Sequence, residues 1–232
     1  MFQLTPAAKN ILIINGIIYI LSDFIGLKSY IIENFGMRYF HSENFQPYQI
    51  LTYMWVHGGF GHLFGNMFSV LVFAPILERV WGSKKFLIYY LITGIGAGIL
   101  YSGINYYENY SFEIKVKSYE QNPSNSNDNL SIAYANDLLK VKSDVPMVGA
   151  SGAVFGILLA FAMLFPNMEL MLLFFPIPVK AKYLVLVYGI YELWSEINRM
   201  PGDNVAHFAH LGGMLIGYLI LKYWKRKYGT FY

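Results

Sequence analysis

A serine flanked by small residues is the first feature of this sequence that could carry chemistry. Ser151 lies in MVGASGAVFG, residues 147–156, and an apolar run follows it as far as Pro166. A serine hydroxyl is a poor nucleophile until a base within hydrogen-bond reach accepts its proton. The chain has no cysteine, which excludes a cysteine nucleophile, a thiolate metal site and a disulfide framework.

Histidines and one asparagine in two other apolar segments are the candidate partners of this serine. His57, His62 and Asn66 occur in WVHGGFGHLFGNM, and His207 and His210 occur in NVAHFAHLGGMLIG. The spacing of four between His62 and Asn66 places both on one face of a helix. Imidazole and carboxamide groups are costly in hydrocarbon, so they usually face a bundle interior or a water-filled cavity. A hydrated site below one membrane surface is therefore expected.

Helical geometry favours His210 over His207 as the base. Two segments carry glycines four residues apart, Gly152 with Gly156 and Gly213 with Gly217. Such pairs allow two helices to approach closely. At 100° per residue, His210 lies about 20° from Gly217 and His207 about 80° from it. If the two glycine faces pack together, His210 is carried towards Ser151, and His207 is left at the edge of the cavity.

These residue types suit acyl transfer. His210 would accept the proton of Ser151 and later donate it to the leaving amine. His62, Asn66 and the backbone N–H of Ser151 would donate hydrogen bonds to the oxyanion. No aspartate is placed to orient His210, so the sequence predicts a Ser–His dyad rather than a triad.

Two other interpretations stand beside catalysis. A single serine between glycines in a membrane helix is usually packing, and a single histidine there is usually an interhelical hydrogen bond. Metal binding by the histidines is a rival, but thiols are lacking and His62 with Asn66 is a weak metal pair. The joint placement of these residues at one depth favours catalysis, and we predict no metal and no cofactor.

Composition places these residues in a membrane protein. Of the 232 residues, 56% are hydrophobic and 13% are charged, whereas soluble domains carry about 25% charged residues. We predict an all-α polytopic protein, a bundle of six transmembrane helices that forms a single domain over residues 1–232. The spans are expected at about 10–30, 61–77, 86–105, 147–166, 183–198 and 205–224. The net charge of +3 does not suggest a nucleic-acid partner.

The orientation follows from the distribution of Lys and Arg. Basic residues concentrate in the connections on the side of the two termini, as in GSKK (82–85) and KRK (225–227). The positive-inside rule therefore places both termini in the cytoplasm. The composition is rich in Asn, Ile, Lys and Tyr, which is typical of an AT-rich bacterial genome, so we place the protein in a bacterial cytoplasmic membrane.

A polar segment interrupts the pattern at about residues 106–146. It is rich in Asn, Ser and charged residues and cannot span a membrane, so we predict an extracytoplasmic loop between the third and fourth spans. Within it, NPSNSNDN is expected to be mobile and IAYANDLLKV to form a short surface helix. The loop either has no catalytic role or modulates access of the substrate.

The motifs resemble those of the rhomboid family of intramembrane serine proteases. HGGFGHLFGN matches H-x-x-x-x-H-x-x-x-N, GASG matches G-x-S-G, and AHLGGMLIG matches A-H-x-x-G-x-x-x-G, over about residues 10–222 in all. The resemblance implies Ser151 and His210 as catalytic residues and His62 and Asn66 as transition-state stabilisers. It implies supporting positions at His57, Gly149, Gly152, Phe155, Gly213 and Gly217, with Phe155 stacking on the catalytic histidine.

The resemblance also implies an architecture and a reaction. The six-helix rhomboid-like bundle would hold the dyad in an outward-opening aqueous cavity and hydrolyse a peptide bond in or near the transmembrane segment of a single-pass membrane protein. The loop at about 30–60 would be the family's membrane-embedded first loop, in which MRYF matches only in part. His207 is not required by the motif, so its removal should leave substantial activity. The alternatives are a catalytically silent rhomboid-like binder or chaperone of membrane proteins and a metal-dependent transporter.

The fifth span is the expected entrance for the substrate. Its outer end is bulky and acidic, with Tyr191, Glu192, Trp194 and Glu196, and it lacks the glycine pairs of spans four and six. A loosely packed helix is the least costly one to displace. We therefore predict a lateral gate between the fifth and second spans, near Trp194 and Phe68.

Overall fold

Helices make up most of the fold. The computed structural model describes residues 3–121, 145–172, 175–198, 205–229 and 231. The helices are α1 (Pro6–Tyr19), α2 (Lys28–Phe35), α3 (Gln49–Thr52), α4 (Phe60–Trp81), α5 (Ser83–Gln121), α6 (Ser151–Leu164), α7 (Ala181–Asn198) and α8 (His207–Tyr228). A π-helical turn, Ile20–Phe24, continues α1, and a 3-10 turn, Tyr53–Trp55, follows α3.

Several of these helices are suited to a bilayer. Three stretches within the described residues are long and apolar enough to cross a membrane: Pro6–Phe24, Phe60–Trp81 and Ser83–Tyr107. Helix α6 is apolar but has only 14 residues, a length of about 21 Å against a hydrocarbon core of about 30 Å. The apolar helices therefore identify an integral membrane protein. The count of six spans stays a prediction.

A short hairpin corrects the all-α prediction. Strands β1 (Glu169–Leu172) and β2 (Phe175–Lys180) pair antiparallel between α6 and α7, with Glu169 opposite Lys180. Pro166 lies two residues beyond the end of α6 and Pro176 lies further along the apolar run, and proline lacks the N–H that a helix interior needs. The apolar run after α6 therefore does not extend the helix.

Helix α5 is longer than the third span predicted at 86–105. It has 39 residues and ends at Gln121, so the first part of the predicted 106–146 loop is helical instead. Residues 106–121 contain neither Gly nor Pro, so nothing in them breaks the helix. The predicted mobile stretch, residues 122–129, and the predicted surface helix, residues 132–141, lie outside the described residues.

Helix α6 occupies the centre of the bundle. It packs against α4, α5, α7 and α8, and most of its residues are buried, including Val154, Ile157 and Phe161. A helix that is apolar on all sides is suited to such a central position. Ser151, its first residue, therefore lies at one end of the central helix.

The loop before α4 is bonded to the chain just before Ser151. Met37 and Met147 exchange two backbone hydrogen bonds of 2.8 Å. The N–H of Gly149 donates to the carbonyl of Tyr53 at 2.9 Å, and the Tyr53 hydroxyl donates to the carbonyl of Gly94 on α5 at 2.7 Å. These bonds fix the path along which the chain enters α6.

Candidate active site

A tight turn presents Ser151 at the start of α6. Gly149 has φ +124°, a conformation that residues with a side chain rarely adopt. A Cβ at this position would also lie 2.5 Å from Nε2 of His62. Gly149 is thus needed both for the turn and for the close approach of α4. The serine is half-buried at the first residue of the helix.

The ring of His210 lies over the first turns of α6. It stacks on Phe155, four residues after Ser151, with ring centroids 4.3 Å apart and an interplanar angle of 7°. This is the stack that the sequence motif implied. Because Phe155 lies one turn beyond Ser151 on α6, the stack brings the histidine of α8 to the part of α6 that carries the serine.

The predicted glycine contact between α6 and α8 is present. A Cβ at Gly213 would lie 1.9 Å from the carbonyl oxygen of Gly152, and one at Gly217 would lie 3.5 Å from Cα of Gly156. The two backbones therefore touch, and there is no room for a side chain between them. This contact determines the position of His210 along the axis of α6.

Helix α4 brings two further polar side chains to the same turn. His62 contacts Gly149, and Nδ2 of Asn66 lies 3.7 Å from the position of a Gly149 Cβ. Asn66 is buried, and its Nδ2 has no hydrogen-bond partner among the residues that the structure describes. His62 is exposed and so can be reached from outside the bundle. Both groups are available as hydrogen-bond donors beside the serine turn.

His57 supports this arrangement from the segment before α4. It is buried, and its ring centroid lies 5.0 Å from that of His62. Burial, together with the neighbouring His62, lowers the pKa of His57 to about 3. The ring is therefore neutral at physiological pH and adds no charge to the site.

The ends of three helices meet here. His62 is the third residue of α4, Ser151 the first of α6 and His210 the fourth of α8. The N-terminus of a helix carries a partial positive charge and unpaired N–H groups. The arrangement therefore favours a negative charge that develops beside Ser151.

Glu192 is the residue that the sequence analysis missed. Its Oε2 lies 2.8 Å from Nδ1 of His210 and 2.5 Å from Nδ1 of His207. The predicted Ser–His dyad rested on the lack of an aspartate near His210, and the carboxylate in contact with this histidine belongs to a glutamate. His207 is also not at the edge of a cavity but is buried against Glu192, because a spacing of three puts it on the same face of α8 as His210.

A signal for this contact was present in the sequence. Glu192 interrupts the apolar run YLVLVYGIYELW of α7. A carboxylate in a membrane helix usually has a partner inside the bundle, and the partner is often a histidine or a basic residue. The sequence analysis assigned Glu192 to the outer end of the fifth span and named no partner for it.

Glu192, His207 and His210 form a cluster within the described chain that could hold a metal ion. The ligand atoms of Glu192, His207 and His210 all lie within 4.8 Å of one another. The two short hydrogen bonds already pair these groups without a metal. The predicted absence of a metal and of a cofactor stays a prediction.

The bulky and acidic residues towards the end of α7 divide between two faces of the helix. Tyr191 and Trp194 are 56% and 49% exposed, whereas Glu192 and Glu196 are buried. Of the four residues at the predicted outer end of this span, the two aromatic ones are therefore exposed and the two acids are not. Phe68 on α4 is exposed and stacks on Phe64 at 5.7 Å. Within the described chain, no ring contact joins Phe68 to Trp194.

Comparison with known proteins agrees with the sequence motifs. The family model "Rhomboid domain" matches residues 44–227. The chain is 28% identical over 191 residues to "Putative rhomboid protease YdcA" of Bacillus subtilis, covering 80% of this chain and 73% of that protein. It is 25% identical over 191 residues to "RHOMBOID-like protein 12, mitochondrial" of Arabidopsis thaliana, covering 82% of this chain but only 50% of that relative. It is 28% identical over 163 residues to "Rhomboid protein 1, mitochondrial" of Saccharomyces cerevisiae, covering 70% of this chain and 38% of that relative. Since the family model covers most of its length, the chain belongs to the rhomboid family.

Proposed function

We propose that this protein is an intramembrane serine endopeptidase that cleaves transmembrane segments of single-pass membrane proteins near the outer face of the bilayer. Ser151 is the nucleophile and His210 the general base. The observation that carries the proposal is the stack of His210 on Phe155, one turn beyond Ser151, at the point where α8 touches α6. A serine and a histidine on facing helices supply the two groups that nucleophilic acyl transfer needs.

The reaction would run in two acyl-transfer steps. His210 accepts the proton of Ser151 as its Oγ attacks the scissile carbonyl carbon, and then donates that proton to the leaving amine. The resulting ester on Ser151 is attacked by water, which gives its proton to His210. Collapse of the second tetrahedral intermediate returns the proton to Oγ of Ser151 and releases the new carboxylate. One water molecule is consumed for each peptide bond cleaved.

The setting of this reaction is part of the proposal. Six spans would form a single domain in the bilayer, with both termini in the cytoplasm of a bacterial cell and the polar loop outside. The convergence of three helix N-termini at one end of the bundle supports a site near one membrane surface. The partners are the substrate helix and the lipid, with no nucleic acid.

Cleavage in a reconstituted bilayer tests the proposal. Purified protein in liposomes, mixed with a single-pass substrate that carries a reporter at each end, should produce two fragments cut near the outer end of the transmembrane segment. Mass spectrometry of the fragments locates the cut. A folded wild-type protein that cleaves none of a panel of such substrates would contradict the proposal and favour a silent membrane-protein binder.

The oxyanion donors should affect turnover more than binding. We expect Asn66→Ala and His62→Ala each to lower kcat by about 10–10³-fold, the upper part of which is the loss of about 10²–10³-fold seen when one oxyanion donor is removed. The physical reason for Asn66 is that its Nδ2 is buried beside the serine turn with no partner in the described part of the chain, so an oxyanion would give it one. Steady-state kinetics of the reconstituted protein measure the effect.

Ser69→Ala is the matched control for these donors. Its hydroxyl lies about one turn beyond Asn66 on α4 and donates to the carbonyl of Gly65 on the same helix at 2.9 Å. Its turnover should stay at the wild-type level. If both donor variants remain within about twofold of wild type, the oxyanion must be stabilised by other groups.

The proposed gate predicts a substrate-dependent change in rate. Trp194→Ala combined with Phe68→Ala should raise the rate of cleavage of a transmembrane substrate severalfold and leave the hydrolysis of a small soluble ester nearly unchanged. The reason is that a substrate helix must enter sideways between α4 and α7, whereas a small ester does not. The ratio of the two rates is the measured quantity.

Tyr223→Ala is the control for the gate variant, because it removes a lipid-facing aromatic ring at an exposed position on the last turns of α8.

A cross-link provides the opposite perturbation to the gate variant. A covalent tie between α4 and α7 should stop cleavage of transmembrane substrates but not of the ester. Full transmembrane cleavage by the cross-linked protein would refute the gate and direct attention to the first loop.

A further inference from the structure

Glu192 is a buried carboxylate whose partners are both histidines of α8. Glu192 is 6% exposed, and His207 is 5% exposed. A carboxylate withdrawn from water is costly unless it is hydrogen-bonded or paired with a cation. Both of its close contacts use the same oxygen, Oε2, at 2.5 Å from His207 and 2.8 Å from His210. The site of catalysis therefore contains a charged group that the Ser–His mechanism does not use.

The contact determines which nitrogen of His210 is the base. An ionised carboxylate accepts hydrogen bonds and donates none, so the hydrogen between the two groups belongs to Nδ1 of His210. In the neutral imidazole the other nitrogen, Nε2, then carries the lone pair. Phe155 covers one face of the ring. The ring is thus held on one edge and one face, which leaves Nε2 as the free nitrogen.

We propose that Glu192 is a positioning residue of the active site, which holds His210 in the tautomer with the proton on Nδ1 and stabilises the imidazolium that forms during acyl transfer. The role rests on the proposed function. The proton of Ser151 moves to Nε2 of His210 and from there to the leaving amine, while Glu192 stays ionised throughout. The site then follows the logic of a Ser–His–acid triad, with the acid supplied by α7.

His207 fixes the carboxylate rather than the base. Its Nδ1 forms a second hydrogen bond with Oε2 of Glu192. This bond restricts the rotation of the Glu192 side chain. It lies one helical turn before His210, and its ring centroid is 6.2 Å from that of His210. Loss of His207 leaves the bond between Glu192 and His210 in place, so His207→Ala should be less damaging than substitution of the acid.

The first test replaces Glu192 by glutamine, which keeps the shape of the side chain and removes its charge. Glu192→Gln should lower kcat by about 10²–10⁴-fold, the upper end being the effect of the corresponding acid-to-amide change in a triad protease. KM should change by less than about threefold, because the residue touches no substrate and acts on the reacting state only. Glu192→Ala should be at least as slow.

Glu196→Gln is the matched control. Glu196 is also a buried carboxylate, one turn further along α7, so the same substitution removes a similar charge from the same helix. It should keep kcat within about threefold of wild type. A kcat of Glu192→Gln at the wild-type level, in a protein whose Ser151→Ala variant is inactive, would overturn the inference alone. A folded wild type that neither cleaves substrate nor reacts with a serine probe would overturn the proposed function as well.

The tautomer of His210 gives a test that needs neither turnover nor a folded acid variant. Nitrogen-15 NMR of histidine-labelled wild-type protein, with the signals of His210 assigned by their loss in His210→Gln, should show a proton on Nδ1 and none on Nε2 at neutral pH. A proton on Nε2 would overturn the inference. Both tests are run in EDTA, so that no cation held by the same three side chains replaces the hydrogen bond.

Discussion

Ser151→Ala is expected to abolish cleavage of a transmembrane substrate, and His210→Ala to do the same, while both proteins keep their fold. In serine proteases, loss of the nucleophile or of the base lowers kcat by about 10⁶-fold. Ser151 is half-buried at the start of α6, and removal of one hydroxyl there leaves the packing of the helix intact. Cleavage assays after reconstitution, with circular dichroism and thermal melting for the fold, measure both parts of the prediction.

His207→Ala separates the base from its neighbour. It removes an equally buried imidazole from the same face of α8 and should retain substantial activity, because the stack with Phe155 belongs to His210. An active Ser151→Ala protein would refute the nucleophile. Loss of activity on removal of His207, with full activity on removal of His210, would reverse the assignment of the base.

Gly213→Val should cost stability and activity together. A Cβ at this position would lie 1.9 Å from the backbone carbonyl of Gly152, and a backbone atom cannot rotate away as a side chain can. Helices α6 and α8 must therefore separate, which moves His210 away from Ser151. Overpacking costs about 1–3 kcal/mol or more, and at this chain length about 2–4 °C of melting temperature for each kcal/mol. We expect a fall of about 5–10 °C and turnover near background.

The chain offers a control and a second variant for this contact. Gly16 on α1 has no atom within 4 Å of an added Cβ, so Gly16→Val should melt and cleave like wild type. Gly152→Val should act in the same direction as Gly213→Val, because its Cβ would lie 2.5 Å from Cβ of Ala97 on α5. Wild-type melting and turnover in Gly213→Val would show that the two glycine faces do not touch.

Local spacing was sufficient to predict much of the site. The interval of four in each glycine pair, and the interval between His210 and Gly217, are fixed by the period of a helix. For this reason the contact of α6 with α8, and the position of His210 rather than His207 towards the first turns of α6, follow from the residues. The stack on Phe155 was implied by the family motif and not by spacing.

The contact made by Glu192 could not be derived in the same way. It depends on how α7 is rotated about its axis against α8, and a single apolar run does not specify that rotation. The sequence did show an acid inside an apolar segment, which signals a buried partner but not its identity. The hairpin before α7 and the continuation of α5 to Gln121 have a local cause, in two prolines and in the lack of any helix breaker.

Covalent labelling shows whether the hydroxyl of Ser151 is activated by His210. A fluorophosphonate probe reacts with a serine whose hydroxyl is activated by a base, forming a bond from Oγ to phosphorus with loss of fluoride. We expect the wild-type protein in liposomes to be labelled, mass spectrometry to place the adduct on Ser151, and both His210→Ala and Ser151→Ala to remain unlabelled. A folded wild-type protein that remains unlabelled, or labelling of Ser151 that is undiminished in His210→Ala, would contradict it.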